Sequence, residues 1–178
     1  MRHPGLIIMV RSVLFFVLLA SLYAPMRADP EYKLMGQDIF DRQVNGEELV
    51  DKAITRAQQE HKRIVLFFGA NWCPWCRELH HAFTEDPSIL AVLRPSFILV
   101  YIDANTRNNT KRNPMMIERY GNPVKNGLPA LVLLDQDGTQ LTTQETGPLA
   151  GSTDEEVAKR VTEFLAKWAP QTTSKKSN

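Results

Sequence analysis

The chain has 178 residues and sets 21 basic side chains against 20 acidic ones, a net charge of +1. Residues 1–28 hold three of the arginines and no acid, so the remainder has 18 basic residues (21 less 3) facing 20 acidic ones, close to neutrality. That balance gives no electrostatic case for a nucleic-acid partner, and the remaining ~150 residues suffice for one domain with its own core. In chain order, Met1 to Ala28 reads as a targeting segment. Arg2, His3 and Arg11 precede an apolar block, Val13 to Ala20, as in the charged and hydrophobic regions of a secretory signal. Two fates stay open: cleavage after Ala24 or Ala28, or retention as an N-terminal membrane anchor, for which Leu6 to Ala24 is nearly long enough although Arg11 interrupts it. Residues 29–44 form an N-terminal extension of weak periodicity, expected on the surface as a loop or short strand.

The domain proper is expected over residues 45–169. Asn45-Gly46-Glu47-Glu48 signals a helix start, and Leu49, Val50, Ala53, Ile54 and Ala57 mark one face of it. Ile64 to Phe68 is apolar throughout, as expected for a strand covered on both faces. A helix follows over Trp75 to Phe83, interrupted at Thr84-Glu85-Asp86-Pro87, beyond which Ile89, Leu90, Val92 and Leu93 continue an apolar face. Phe97 to Ile102 is a second buried strand, and Ala104 to Asn113 a polar loop, solvated or mobile. Asn113-Pro114 opens a short helix through Tyr120. Ala130 to Leu134 is a third strand; Asp135 to Gly138 turns it into an antiparallel, more exposed partner at Thr139 to Thr143. Ser152-Thr153-Asp154-Glu155 reads as a capping box for a last helix carrying Val157, Val161, Phe164, Leu165 and Trp168, which Pro170 stops. Residues 170–178 are a polar tail expected to be disordered. Strands alternating with helices imply an α/β sandwich with a mixed central sheet flanked by helices.

The two cysteines of the chain stand in Trp72-Cys73-Pro74-Trp75-Cys76, at the junction of a buried strand and a helix. Cys73 is expected as the helix N-cap and Pro74 as its first residue, where a missing N–H costs nothing. Free N–H groups and the partial positive charge of the helix start favour a thiolate, the nucleophilic form. Cys76, one turn on, is placed to close a disulfide with Cys73. The arrangement suits thiol–disulfide exchange, with Cys73 attacking and Cys76 resolving. Two other readings stand beside it: a structural disulfide, whose short ring would constrain little of the unfolded chain, and zinc with His80 and His81, two adjacent histidines that point in different directions on one helix. Haem attachment is excluded because Arg77, not His, follows Cys76.

With these features in view, the chain from about Asn45 to Trp168 resembles the thioredoxin-like superfamily. The resemblance rests on Trp72-Cys73-x-x-Cys76 after a buried strand, Gly127-Leu128-Pro129 before the next-to-last strand, and Gly147 before the last helix. The run from Phe68 to Leu93 is most similar to exported bacterial members, including the thioredoxin-like domain of thiol:disulfide interchange proteins. The resemblance implies a three-layer thioredoxin-like sandwich and Pro129 as the cis-proline, holding the Leu128 backbone beside the sulfurs to pair with an extended substrate segment. It implies a protein-disulfide oxidoreductase, periplasmic or otherwise exported, free or held at the inner membrane, with Trp72, Pro74, Trp75, Leu128 and Pro129 shaping the substrate site. No cofactor beyond the redox-active disulfide and no metal is called for. Partners are cysteine-containing proteins and a redox protein that resets the pair. The rival reading is a non-enzymatic binding module or a soft-metal (copper) chaperone using the same thiolates. Two departures stand out: thioredoxin has Gly-Pro between its cysteines where this chain has Pro74-Trp75, and a buried aspartate six residues before the first cysteine where this chain has Phe67.

Overall fold

The computed structural model describes residues 37–171. The targeting segment expected over 1–28, the extension up to residue 36 and the tail beyond 171 lie outside the described residues. Helix α1, Gly46–Glu60, opens on Asn45, whose side chain accepts from the Glu47 amide, and closes at His61 in the left-handed region (φ 53°). Strand β1, Arg63–Gly69, is buried from Ile64 onward, as a continuous apolar run requires. Helix α2, Pro74–Glu85, ends at Asp86, which also caps α3, Pro87–Ser96. The Asp86 carboxylate accepts from the amides of Ser88 (2.9 Å) and Ile89 (3.0 Å), and Pro87 cannot donate back into α2, so one apolar stretch becomes two helices. Strand β2 is Phe97–Asp103, α4 Pro114–Arg119, β3 Ala130–Leu134, β4 Gln140–Glu145 and α5 Asp154–Lys167, with a 3-10 turn at Gly147–Leu149.

The sheet order is β2-β1-β3-β4. β1 runs parallel to β2 and antiparallel to β3, and β3 runs antiparallel to β4, so the sheet is mixed, as expected. Alternate residues of β1 and β3 face opposite sides. Val65, Phe67, Leu131 and Leu133 pack with α2, α3 and α5; Ile64, Leu66, Val132 and Leu134 pack with α1 and α4. Helices therefore cover both faces, and β1, at the centre, delivers the chain to the cysteine motif at its carboxyl end.

Three details differ from expectation. The cap of α5 is Thr153, whose hydroxyl accepts from the Glu156 amide, while the Glu156 carboxylate accepts from the Ser152 amide. The capping box thus sits one residue later than Ser152–Glu155, because the first helical hydrogen bond, from the Val157 amide, closes on the Thr153 carbonyl. The extension does more than cover the surface: Phe40 is fully buried in the core on the α2 side. The 104–113 loop is pinned rather than loose. Ala104 donates to the Gly69 carbonyl at 2.7 Å, Arg112 closes the loop on Asn105 at 3.0 Å, and the Asn113 side chain joins the Gly46 amide to the Asp103 carbonyl.

Candidate active site

The site begins where β1 ends. The chain turns at Ala70–Trp72, with the Cys73 amide donating to the Ala70 carbonyl at 3.0 Å, and enters α2. Cys73 is the N-cap, with extended backbone (φ −86°); its Sγ accepts from the Cys76 amide at 3.2 Å, and Pro74 is the first helical residue. One of the donors left unpaired at a helix start is thereby directed at the Cys73 sulfur. Cys73 and Cys76 are joined in a disulfide, their Cα atoms 5.2 Å apart, and both side chains are buried.

Around the pair the expected residues divide. Trp75 is 59% exposed and, with Leu128 and Pro129, lines a groove of about 300 Å³ beside the disulfide. The Leu128–Pro129 peptide is cis, and the Pro129 carbonyl accepts from the Thr146 hydroxyl at 2.8 Å, which ties this turn to the end of β4. Glu78, Leu79 and Leu149 complete much of the wall. Trp72 is not part of that groove. Its indole donates to Asn105 at 2.8 Å, and the Arg107 guanidinium lies 3.5 Å above its ring, so Trp72 belongs to the loop side of the site. Pro74 is exposed at the helix start and does not line the groove either. Glu78 and Leu149 were missed because their place depends on how α2 meets the turn after β4, which no local pattern encodes. His80 and His81 diverge, as adjacent helical residues must: His80 Nδ1 meets the Tyr101 hydroxyl at 2.8 Å, and His81 lies 3.4 Å from Glu85.

Titratable groups near the site are shifted chiefly by burial. Burial pushes Tyr101 up to about 12. Burial lowers His80, assisted by the positive charges of Arg77 and His81 and opposed by Glu85. Burial raises Asp103, opposed by the Asn105 amide and by Arg112, whose guanidinium lies 3.4 Å away. The aspartate place six residues before Cys73 is filled by Phe67, fully buried against Phe40, Phe83 and Tyr101. The His80 shift has a consequence for stability. Its folded pKa lies below the unfolded one, so on acidification the unfolded chain takes up the proton first and stability falls as pH drops through about 6.5. Urea midpoints measured from pH 7.5 to 5.5 should therefore decline more in the parent than in His80→Gln; parallel declines would refute the assignment.

A family model described as a thioredoxin-like domain matches residues 50–160. The chain belongs to the thioredoxin-like domain family. It is similar to the thiol:disulfide interchange protein DsbD of Photorhabdus laumondii subsp. laumondii, at 28% identity over 100 residues. That match takes in 56% of this chain but spans only 16% of the length of the curated relative. Among solved structures, a disulphide isomerase from Xylella fastidiosa Temecula1 is 30% identical, with a TM-score of 0.63; the similarity covers 74% of this chain and 97% of the other. The thioredoxin-like fold thus carries Cys73 and Cys76 as a disulfide pair at the junction of its central strand and a helix start.

Proposed function

We propose that the protein is a thiol:disulfide oxidoreductase that exchanges disulfides with cysteine-containing proteins outside the cytoplasm. The observation that carries this reading is the Cys73 sulfur at the N-cap of α2, bonded to Cys76 one turn on, beside an open apolar groove. In the reduced protein the Cys73 thiolate attacks one sulfur of a substrate disulfide. The substrate S–S bond breaks, a mixed disulfide forms, and one substrate thiolate leaves. The Cys76 thiolate then attacks the Cys73 sulfur and the second substrate thiolate leaves. Two electrons have passed to the substrate, and the pair has become the disulfide. Run backwards, the same steps oxidise a dithiol. A redox-partner protein returns the pair to its starting state, and no further cofactor takes part.

Trp75, Leu128 and Pro129 receive the segment that bears the substrate cysteine, the Leu128 backbone pairing with it as an added strand would. The kinship with an interchange protein and a disulphide isomerase supports the reaction class. The charged and apolar leader over residues 1–28 supports export, whether it is cleaved or holds the domain at the inner membrane. The test is insulin reduction by dithiothreitol. Catalytic amounts of the protein should shorten the lag before the insulin chains precipitate. No acceleration, together with stoichiometric Cu(I) uptake by the reduced pair, would replace this reading with a metal-binding one.

A further inference from the structure

The segment before α1 crosses the redox turn as a strap, and the redox motif itself holds it there. Asn71, buried and two residues before Cys73, accepts at Oδ1 from the amides of Ile39 (2.8 Å) and Phe40 (2.9 Å) and donates from Nδ2 to the Phe40 carbonyl (2.8 Å). Arg77, directly after Cys76, donates from Nε and Nη2 to the Asn71 carbonyl at 3.1 and 2.9 Å and from Nη1 to the Gln37 carbonyl at 2.9 Å. These bonds deliver the Phe40 ring into the space above Gly69. A Cβ on Gly69 would stand 2.2 Å from Phe40 Cζ and 3.0 Å from Cys76 Sγ, so the glycine makes room for ring and sulfur together. Phe67 and Tyr101 meet the Phe40 ring edge-on, at 5.6 and 5.7 Å. The Cys76 sulfur thus lies in an aromatic pocket, one wall of which comes from outside the region that the family model matches.

We propose that Phe40 is a positioning residue for Cys76: by sealing that sulfur from water it holds the reduced Cys76 as a thiol, and so sets the rate at which it resolves a mixed disulfide. The inference rests on the resolving role given to Cys76 above. Burial in apolar surroundings disfavours the thiolate. The ionisable groups on the surrounding elements are engaged elsewhere. Arg77 is held by the Asn71 and Gln37 carbonyls, His80 and Tyr101 bond to each other, Asp103 is held by the Asn105 amide and Arg112, and Asp38 pairs with Arg42. Glu78 stands exposed in the groove, and Asp154 of α5 lines a neighbouring cleft with Glu85. β1 and β3 bring apolar side chains to this face apart from Arg63 at the start of β1, which bonds to the Trp168 carbonyl and to Asp135.

The test uses the full chain carrying Cys73→Ser, in which Cys76 is the single thiol, and follows iodoacetamide alkylation against pH. With Phe40 in place the midpoint should lie above that of a free thiol, about 8.5. Phe40→Ala should lower it by about one pH unit and speed alkylation at pH 7 about tenfold, whereas Phe40→Leu, still apolar and bulky, should stay near the parent. Arg77→Lys keeps the charge but loses the fork that holds the strap, and should move the midpoint in the same direction as Phe40→Ala. It supplies the answer if Phe40→Ala does not fold. Unchanged midpoints in folded Phe40→Ala, or in Arg77→Lys, would overturn the proposal. The measurement needs no substrate, so its failure is separate from a failure of the insulin assay.

Discussion

Cys73→Ser should reduce disulfide exchange to the uncatalysed background, whereas Cys76→Ser should leave the protein covalently joined to its substrates. The asymmetry follows from where the two sulfurs sit. Cys73 occupies the N-cap, where its Sγ accepts a helix N–H, two residues before Trp75, which lines the groove with Leu128 and Pro129. Cys76 is fully buried one turn inside, under Phe40. Both side chains are buried in the disulfide form, so the asymmetry rests on the helix start, which favours the thiolate at Cys73 and makes it the expected attacker. Once Cys73 is bonded to substrate, only an internal thiolate can release it, and without Cys76 the mixed disulfide persists. Non-reducing gels of the two variants, expressed in cells and quenched with acid, read the difference directly. Equal trapping by both would contradict the assignment of attacker and resolver.

The second large effect is expected at Phe67. Phe67→Asp should lower stability by about 3–5 kcal/mol, the usual cost of truncating a buried aromatic, and by more to the extent that the new carboxyl finds no partner. The site justifies the upper part of that range: Phe67 lies on the central strand between Tyr101 of β2 and Leu131 of β3, and its ring meets three other aromatic rings. The same change should accelerate mixed-disulfide release near neutral pH, because it returns a proton acceptor to the place where thioredoxin has one. In the parent, Cys76 ionises without such help, so release should steepen as pH rises towards the range of an ordinary thiol, about 8.5. Stopped-flow traces of mixed-disulfide resolution in both proteins, from pH 6 to 9, separate the cases. A flat profile in the parent would mean that another base serves Cys76. Asp103 would then be the residue to examine: it is buried, its carboxyl is raised by that burial, and it lies in register with Gly69 beneath the sulfur.

Much of this was legible beforehand, for reasons that differ by residue. Strands β1, β2 and β3 announced themselves as unbroken apolar runs, because a strand covered on both faces tolerates little else. Cys73-Pro74 marked the start of α2 through the intrinsic demands of an N-cap and of proline. Asp86-Pro87 likewise marked the joint between α2 and α3. Phe40 was not legible. It is one of two aromatics in a stretch of weak periodicity, and its burial depends on a side-chain amide 31 residues further on. Trp72 was expected to shape the substrate site, yet its indole bonds to Asn105 across a loop whose course no local pattern specifies. Two adjacent hydroxyls, Ser152 and Thr153, were equivalent as letters; the backbone of α5 chose between them.

The sheet's outer boundary has a bearing on how the molecule behaves in company. Among the described strands β4 stands at one edge, next to the wholly apolar β3. A strand offered by another chain could join the sheet there or at β2, the opposite edge among the described strands. Gln140, Thr142, Thr143, Gln144 and Glu145 make the β4 border polar, and the pairing of β3 with β4 slips between Leu133 and Leu134. A short, irregular border ending in a charge is a poor template for further strands. If the proposed exchange holds, chains with unformed disulfides and unpaired strands of their own would find little to pair with along β4, and contact there would end when the sulfur bond is broken.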